Sequence, residues 1–151
     1  LRENLSSIRR AQLVVINGSK NEKFEKKLKN VSPNIKIFYS NYIPVNLDKI
    51  KNKKVLAFAG IGNPENFFDM LKTNDVQLEK SLTYPDHYDF QISELKEIFE
   101  YAERNELQTL TTEKDYHRIK HLGFANLEYL KVELKIDKAN EFINEISKIY
   151  D

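Results

Sequence analysis

The chain contains no cysteine among its 151 residues. That single absence removes disulfides, thiolate nucleophiles and cysteine-based metal sites together, and it suits a reducing cytosol. No run of about 18 apolar residues occurs, so no segment reads as a membrane-crossing helix. No basic stretch leads into an apolar one, so no secretory signal is expected. The formal net charge of +1 supplies no field that would recruit nucleic acid, and no nucleic-acid partner is expected. There is no G-x-x-x-x-G-K-S/T segment to cradle phosphates and no serine nucleophile elbow. None of the three scattered histidines is followed by an acidic residue at i+4, so no zinc site of the usual kind is expected. Internal repeats and low-complexity tracts are absent too.

What remains is ordinary globular material: 40% apolar and 31% charged residues, enough in one chain for a real core. Short β-rich runs alternate with amphipathic stretches. Strands are expected at Gln12–Asn17, Ile35–Tyr39, Val55–Ala59, Val76–Thr83, Leu107–Thr112 and Leu127–Leu134. Leu13–Ile16 and Val55–Ala59 are continuously apolar, as strands covered on both faces are. Leu95, Ile98, Phe99 and Ala102 form one helical stripe, and Ala139, Phe142, Ile143 and Ile146 another. Ser93 and Asp137 are the expected N-caps of those helices, and Asn63-Pro64 begins a third. Ser19–Asn30 reads as a solvated helix and Ile43–Lys54 as a linker or short irregular crossover, broken by Pro44. Strand–helix alternation predicts a single α/β domain over residues 1–151, with a mostly parallel sheet flanked by helices.

In such sheets ligands bind beyond the carboxyl ends of the strands. The segments there are Asn17-Gly18, Gly60-Ile61-Gly62, Tyr84-Pro85-Asp86-His87-Tyr88 and Thr112-Glu113-Lys114-Asp115. Gly60 and Gly62 serve either a turn needing glycine torsions or a bare backbone that admits an anion to the following helix. Pro85 favours an extended approach, so Asp86 and His87 should point opposite ways, one to the crevice and one bracing the loop. Imidazole is the natural base near neutral pH. Thr112 fits an N-cap, with Glu113 and Asp115 opposing the helix dipole. Lys114 does not fit that pattern and should pair with a carboxylate or a phosphate. His117 and His121 read as solvated or packing residues.

Four ordered segments carry a resemblance. Ala57–Leu71 (AFAGIGNPENFFDML) resembles the A-F-x-G-I-x-x-P-x-x-F-F-x-x-L segment of the tetraacyldisaccharide 4′-kinases of lipid A synthesis. Tyr84–Phe90 (YPDHYDF) is similar to their F-x-D-H-H-x-F, and Leu110–Asp115 (LTTEKD) to their L-x-T-T-E-K-D. The opening Leu1-Arg2-Glu3-Asn4-Leu5, then Arg10-Ala11 and Val14–Gly18, resembles L-R-E-P-L … R-A-D … v-N-G. Asn4 replaces a usual Pro, Gln12 a usual Asp, and Tyr88 stands where a second His is common.

The resemblance implies the carboxyl-terminal lobe of a P-loop-type kinase. That enzyme moves the γ-phosphate of ATP to the 4′-hydroxyl of a lipid A precursor, tetraacyldisaccharide 1-phosphate. It implies ATP and Mg²⁺ as cofactors, held mainly by an amino-terminal lobe that precedes Leu1. It also implies peripheral association of that lobe with the cytoplasmic face of the inner membrane, and an isolated fragment without activity. His87 takes the place of the family's catalytic His, which pairs with an upstream Asp. Arg2 and Asp86 are candidate substrate contacts, and Gly60, Gly62, Thr112, Glu113, Lys114 and Asp115 form a supporting motif. The competing expectation is a nucleotide- or dinucleotide-binding α/β module without catalysis, suggested by strand–GxG–helix.

Overall fold

A computed structural model describes residues 3–150 of the chain. The fold comprises two compact units, 1–43 with 133–151, and 44–132.

The unit 44–132 is built on β3 (Lys54–Ala59), whose apolar run is covered on both faces. Val55, Ala57 and Ala59 pack with Phe67, Phe68 and Leu71 of α2 (Pro64–Thr73). Leu56 and Phe58 point the other way, against Leu95, Ile98 and Ala102 of α3 (Ile92–Arg104) and Ile119 of α4 (Glu113–Ile119). Burying a large apolar side chain is worth about 1.5–3 kcal/mol, so two faces of such residues commit β3 to the middle of a sheet. Beside it lie β4 (Gln77–Thr83) and β5 (Gln108–Thr112), with β6 (Leu127–Leu130) beyond, in the order β4-β3-β5-β6. All neighbouring pairs run parallel. At the edge, β4 alternates exposed and half-buried residues, carries Glu79 and Lys80, and shifts register opposite Val55 and Leu56. Charge and a bulge both discourage further strand pairing there. The expected α/β fold with a mostly parallel sheet flanked by helices is therefore present.

The unit 1–43 with 133–151 holds a second sheet, β1 (Leu13–Asn17), β2 (Lys36–Pro44) and β7 (Val132–Ile136), in the order β1-β2-β7. Its helices are α1 (Glu22–Val31) and α5 (Ala139–Tyr150). The Asn21 side chain caps α1 by accepting the Phe24 N–H at 3.0 Å, and Leu28 is the helix's buried anchor. Phe38 of β2 meets Phe142 of α5 edge-on, with ring centroids 5.3 Å apart.

Four local expectations change. The run Leu127–Leu134 is two strands, because β6 and β7 belong to different sheets. The cap of helix α3 lies two residues before Ser93: Glu94 reaches back to the Gln91 N–H at 3.1 Å and sets Gln91 as the cap. Asp137 is held by its own N–H on the Tyr39 carbonyl, so Lys138 at φ +55° accepts the first helical bond of α5 instead. Within the expected linker, Asn46 is tied at both side-chain atoms, donating to Tyr129 O and accepting from Lys131 N–H, each at 2.8 Å.

Candidate active site

Because β4, β3 and β5 are adjacent and parallel, their following segments meet at one edge of the sheet. Gly60 leaves β3, Tyr84 leaves β4, and Thr112 ends β5 and caps α4. The Tyr84 N–H still donates to Ala59 O at 2.9 Å, so the ladder continues one step past β4. The chain then turns. Tyr88 N–H donates to Pro85 O at 3.1 Å, and His87 takes the third position with φ +59°. The extended geometry expected of Asp86 and His87 is thus wrong at His87, and with it the expectation that the pair diverges. A left-handed residue other than glycine costs about 1–2 kcal/mol. Two bonds offset this: His87 N–H donates to Gly60 O at 3.2 Å, and Arg118 Nη2 donates to His87 O at 3.1 Å.

The side chains of Asp86 and His87 consequently lie on the same side, with Lys114 between them. Lys114 Nζ is 3.1 Å from Asp86 Oδ1 and 3.4 Å from His87 Nε2. An ammonium only donates, so a hydrogen bond between the two requires Nε2 to accept. His87 Nε2 and Asp86 Oδ2 are 3.9 Å apart. The hydrogen bond from Lys114 holds the Asp86 carboxyl below its ordinary pKa, helped by the charge of Lys114 and opposed by partial desolvation. All three side chains are substantially exposed: 73% for His87, 49% for Asp86 and 43% for Lys114, so a ligand can reach them. The pair expected of Lys114 is with a carboxylate.

Beneath this cluster the structure is fixed. Tyr84, Tyr88 and Phe90 pack together at centroid distances of 4.9 to 5.3 Å, with Phe90 edge-on to both tyrosines. The Tyr88 hydroxyl donates to Glu94 at 2.7 Å, a bond that raises the phenol pKa, and burial raises that of Tyr84. Tyr88, at the position where a second His is common, is therefore a wall of the loop. Asp115 is fully buried. Its Oδ2 accepts from Gly60 N–H at 2.8 Å and from the Thr112 hydroxyl at 2.9 Å, while Oδ1 faces Arg118 Nη1 at 3.6 Å. Thr112 Oγ1 in turn accepts the Asp115 N–H at 3.1 Å, the N-cap expected of it. Glu113 shares the first turn of α4, where a carboxylate opposes the helix dipole.

Torsion is not what either glycine supplies, and only Gly60 is needed for space. Neither has a positive φ, in contrast to Gly18 at +112° in the other unit. A Cβ on Gly60 would lie 3.3 Å from Phe90 Cζ and from Tyr88 Cβ, and 3.4 Å from Pro85 O. The expectation of glycine torsions is corrected accordingly. Nor is the Gly60 N–H available to an anion, since Asp115 occupies it, and the Asp86 carboxylate lies beside Gly62. Arg118 was not legible as a site residue. Its i, i+3 relation to Asp115 was visible, but its reach to the His87 carbonyl depends on the loop. Arg2 lies outside the described residues. Among the described residues no cluster of His, Asp or Glu suits a metal ion, and Asp86 and Asp115 are both engaged, so these residues do not fit Mg²⁺.

The sequence model of the family described as Tetraacyldisaccharide-1-P 4′-kinase matches residues 1–151. The chain belongs to this family. A Tetraacyldisaccharide 4′-kinase of Pelagibacter ubique (strain HTCC1062) is 34% identical over 152 residues, covering 99% of this chain and 48% of that protein. One from Rickettsia canadensis (strain McKiel) is 36% identical over 141 residues, covering 91% of this chain and 41% of its own. Among solved structures, LpxK from Aquifex aeolicus in complex with ATP matches the whole chain at 25% identity with a TM-score of 0.60, over 46% of its own length. The chain thus spans about half the length of the 4′-kinases it matches. The family resemblance carried by the four segments is borne out, and a non-catalytic dinucleotide module is not favoured.

Proposed function

We propose that this chain forms part of an ATP-dependent kinase that phosphorylates the 4′-hydroxyl of tetraacyldisaccharide 1-phosphate, with His87 as the base. The observation that supports this reading is the exposed imidazole at the carboxyl edge of the sheet, its Nε2 3.4 Å from the Lys114 ammonium. The substrate hydroxyl replaces Lys114 on Nε2, and Lys114 stays paired with Asp86. Nε2 takes the hydroxyl proton as the oxygen bonds to the γ-phosphorus. The bond from that phosphorus to its bridging oxygen breaks, and ADP leaves with the electron pair. ATP phosphates and Mg²⁺ are held by residues outside this chain, because this one has no P-loop and no fitting carboxylate cluster among its described residues. The Arg2 guanidinium suits a contact with a substrate phosphate. The same portion outside the chain provides peripheral association with the cytoplasmic face of the inner membrane; here, among the described residues, no helix is long and apolar enough to cross one.

The test is His87→Ala in the full-length protein, assayed with ATP and the lipid. A fall in kcat of ~10²–10⁴, the span typical of a lost general base, is expected. Activity within a few-fold of the parent would remove His87 from this role.

A further inference from the structure

The backbone of His87 is gripped at both ends by groups that one buried carboxylate holds. Asp115 Oδ2 takes the Gly60 N–H, and the Gly60 carbonyl takes the His87 N–H. Asp115 Oδ1 faces Arg118 Nη1, and Arg118 Nη2 donates to the His87 carbonyl. The path closes on itself: Asp115, Gly60, His87, Arg118, Asp115. We propose that Asp115 and Arg118 are positioning residues, a clamp that sets the left-handed backbone of His87 and so aims its imidazole.

Three features argue that the clamp serves His87 and not the fold alone. The first is its cost. A carboxylate with no exposed surface is expensive, and Asp115 Oδ1 and Arg118 Nη1 make no hydrogen bond within normal distance, facing each other at 3.6 Å. A neutral acceptor in place of Asp115 could take the Gly60 N–H and the Thr112 hydroxyl without burying a charge. The second is the geometry it imposes. An unclamped turn residue with φ near +59° would relax toward negative φ, and this would swing the side chain away from Asp86 and Lys114. The third is shape. A planar guanidinium presents its donors in a fixed fork, here toward the Asp115 carboxylate and the His87 carbonyl, whereas an ammonium lacks that fork and its second nitrogen. Gly60 completes the arrangement, since a Cβ there would press on Tyr88 and Phe90 of the same loop.

The inference rests on His87 being the base, and the experiment separates the two. In the full-length protein, Arg118→Lys keeps a cation beside Asp115 but gives up the bond to His87 O. The expected result is a fall in kcat of ~10–10², with KM within about threefold and a melting temperature lowered by at most about 4 °C, the cost of one lost hydrogen bond, since a misplaced catalytic group costs rate without loss of binding. Arg118→Lys combined with His87→Ala should then be no slower than His87→Ala alone, because a clamp has nothing to act on once the imidazole is gone. Losses that multiply in the double variant, or a parent-like kcat in Arg118→Lys, would overturn the clamp. If His87→Ala itself keeps activity within a few-fold, the base assignment fails first. A fully active Arg118→Lys beside a crippled His87→Ala would sink only the clamp.

Discussion

At the scale of single residues, one ammonium decides the state of the site. Lys114 was conspicuous in the sequence as a cation in the first turn of a helix, where the dipole disfavours it. Asp86 is what it pairs with. The sign of the pH effect follows from the direction of the Asp86 shift. A depressed carboxyl pKa means that the pair is fully formed above the ordinary carboxylate range and is lost only as pH falls through the depressed value. Carboxyl-detected NMR titration should therefore place the Asp86 midpoint below that of a solvated aspartate, and Lys114→Met should move it back up. A midpoint that ignores Lys114→Met would show that the contact does not persist in solution.

At the scale of elements, the turn after β4 and the turn after β3 are fitted to each other, and the two glycines divide that work unequally. Gly60→Ala pushes a methyl group against Phe90, Tyr88 and the Pro85 carbonyl together. The loop cannot retreat easily because His87 N–H is bonded to Gly60 O itself. Overpacking of this kind costs about 1–3 kcal/mol and outweighs the entropy gained from removing a glycine. Gly62→Ala meets nothing nearer than Asp86 Oδ2 at 3.5 Å, an ordinary contact. It should stabilise by about 0.4–1 kcal/mol through the unfolded chain alone. Urea denaturation of the two variants should give shifts of opposite sign. Two losses of similar size would mean that glycine torsion, not space, is what both positions need.

At the scale of the whole chain, the missing phosphate-binding machinery has a direct consequence. No P-loop motif occurs in the sequence, Gly60 N–H is spent on Asp115, and the described residues offer no carboxylate cluster for a metal. Calorimetry on residues 1–151, with circular dichroism to show that the chain is folded, should detect no micromolar binding of ATP. Micromolar affinity would contradict the proposal that ATP is held elsewhere in the protein. The net charge of +1 agrees with this, since it gives the chain no general attraction for polyphosphate.

Much of the fold was legible because its causes are local. The apolar run Val55–Ala59 can only be a strand covered twice, and Pro64 at the first turn of α2 fixes where that helix starts. Thr112 was readable as a cap because capping needs only three residues of context. Strand ends carrying Gly60, His87 and Lys114 could be assigned to one edge from alternation alone. Non-local choices were not readable. The break between β6 and β7 depends on which sheet each strand joins, and the start of α3 depends on how far Glu94 reaches back. The left-handed backbone of His87 was hidden for the same reason. Its bonds come from Gly60, 27 residues earlier, and from Arg118, 31 later. Sequence by itself determined which residues would arrive at the site. Only the tertiary structure decided how His87 is aimed, because a turn residue takes its torsion from whatever grips its two ends.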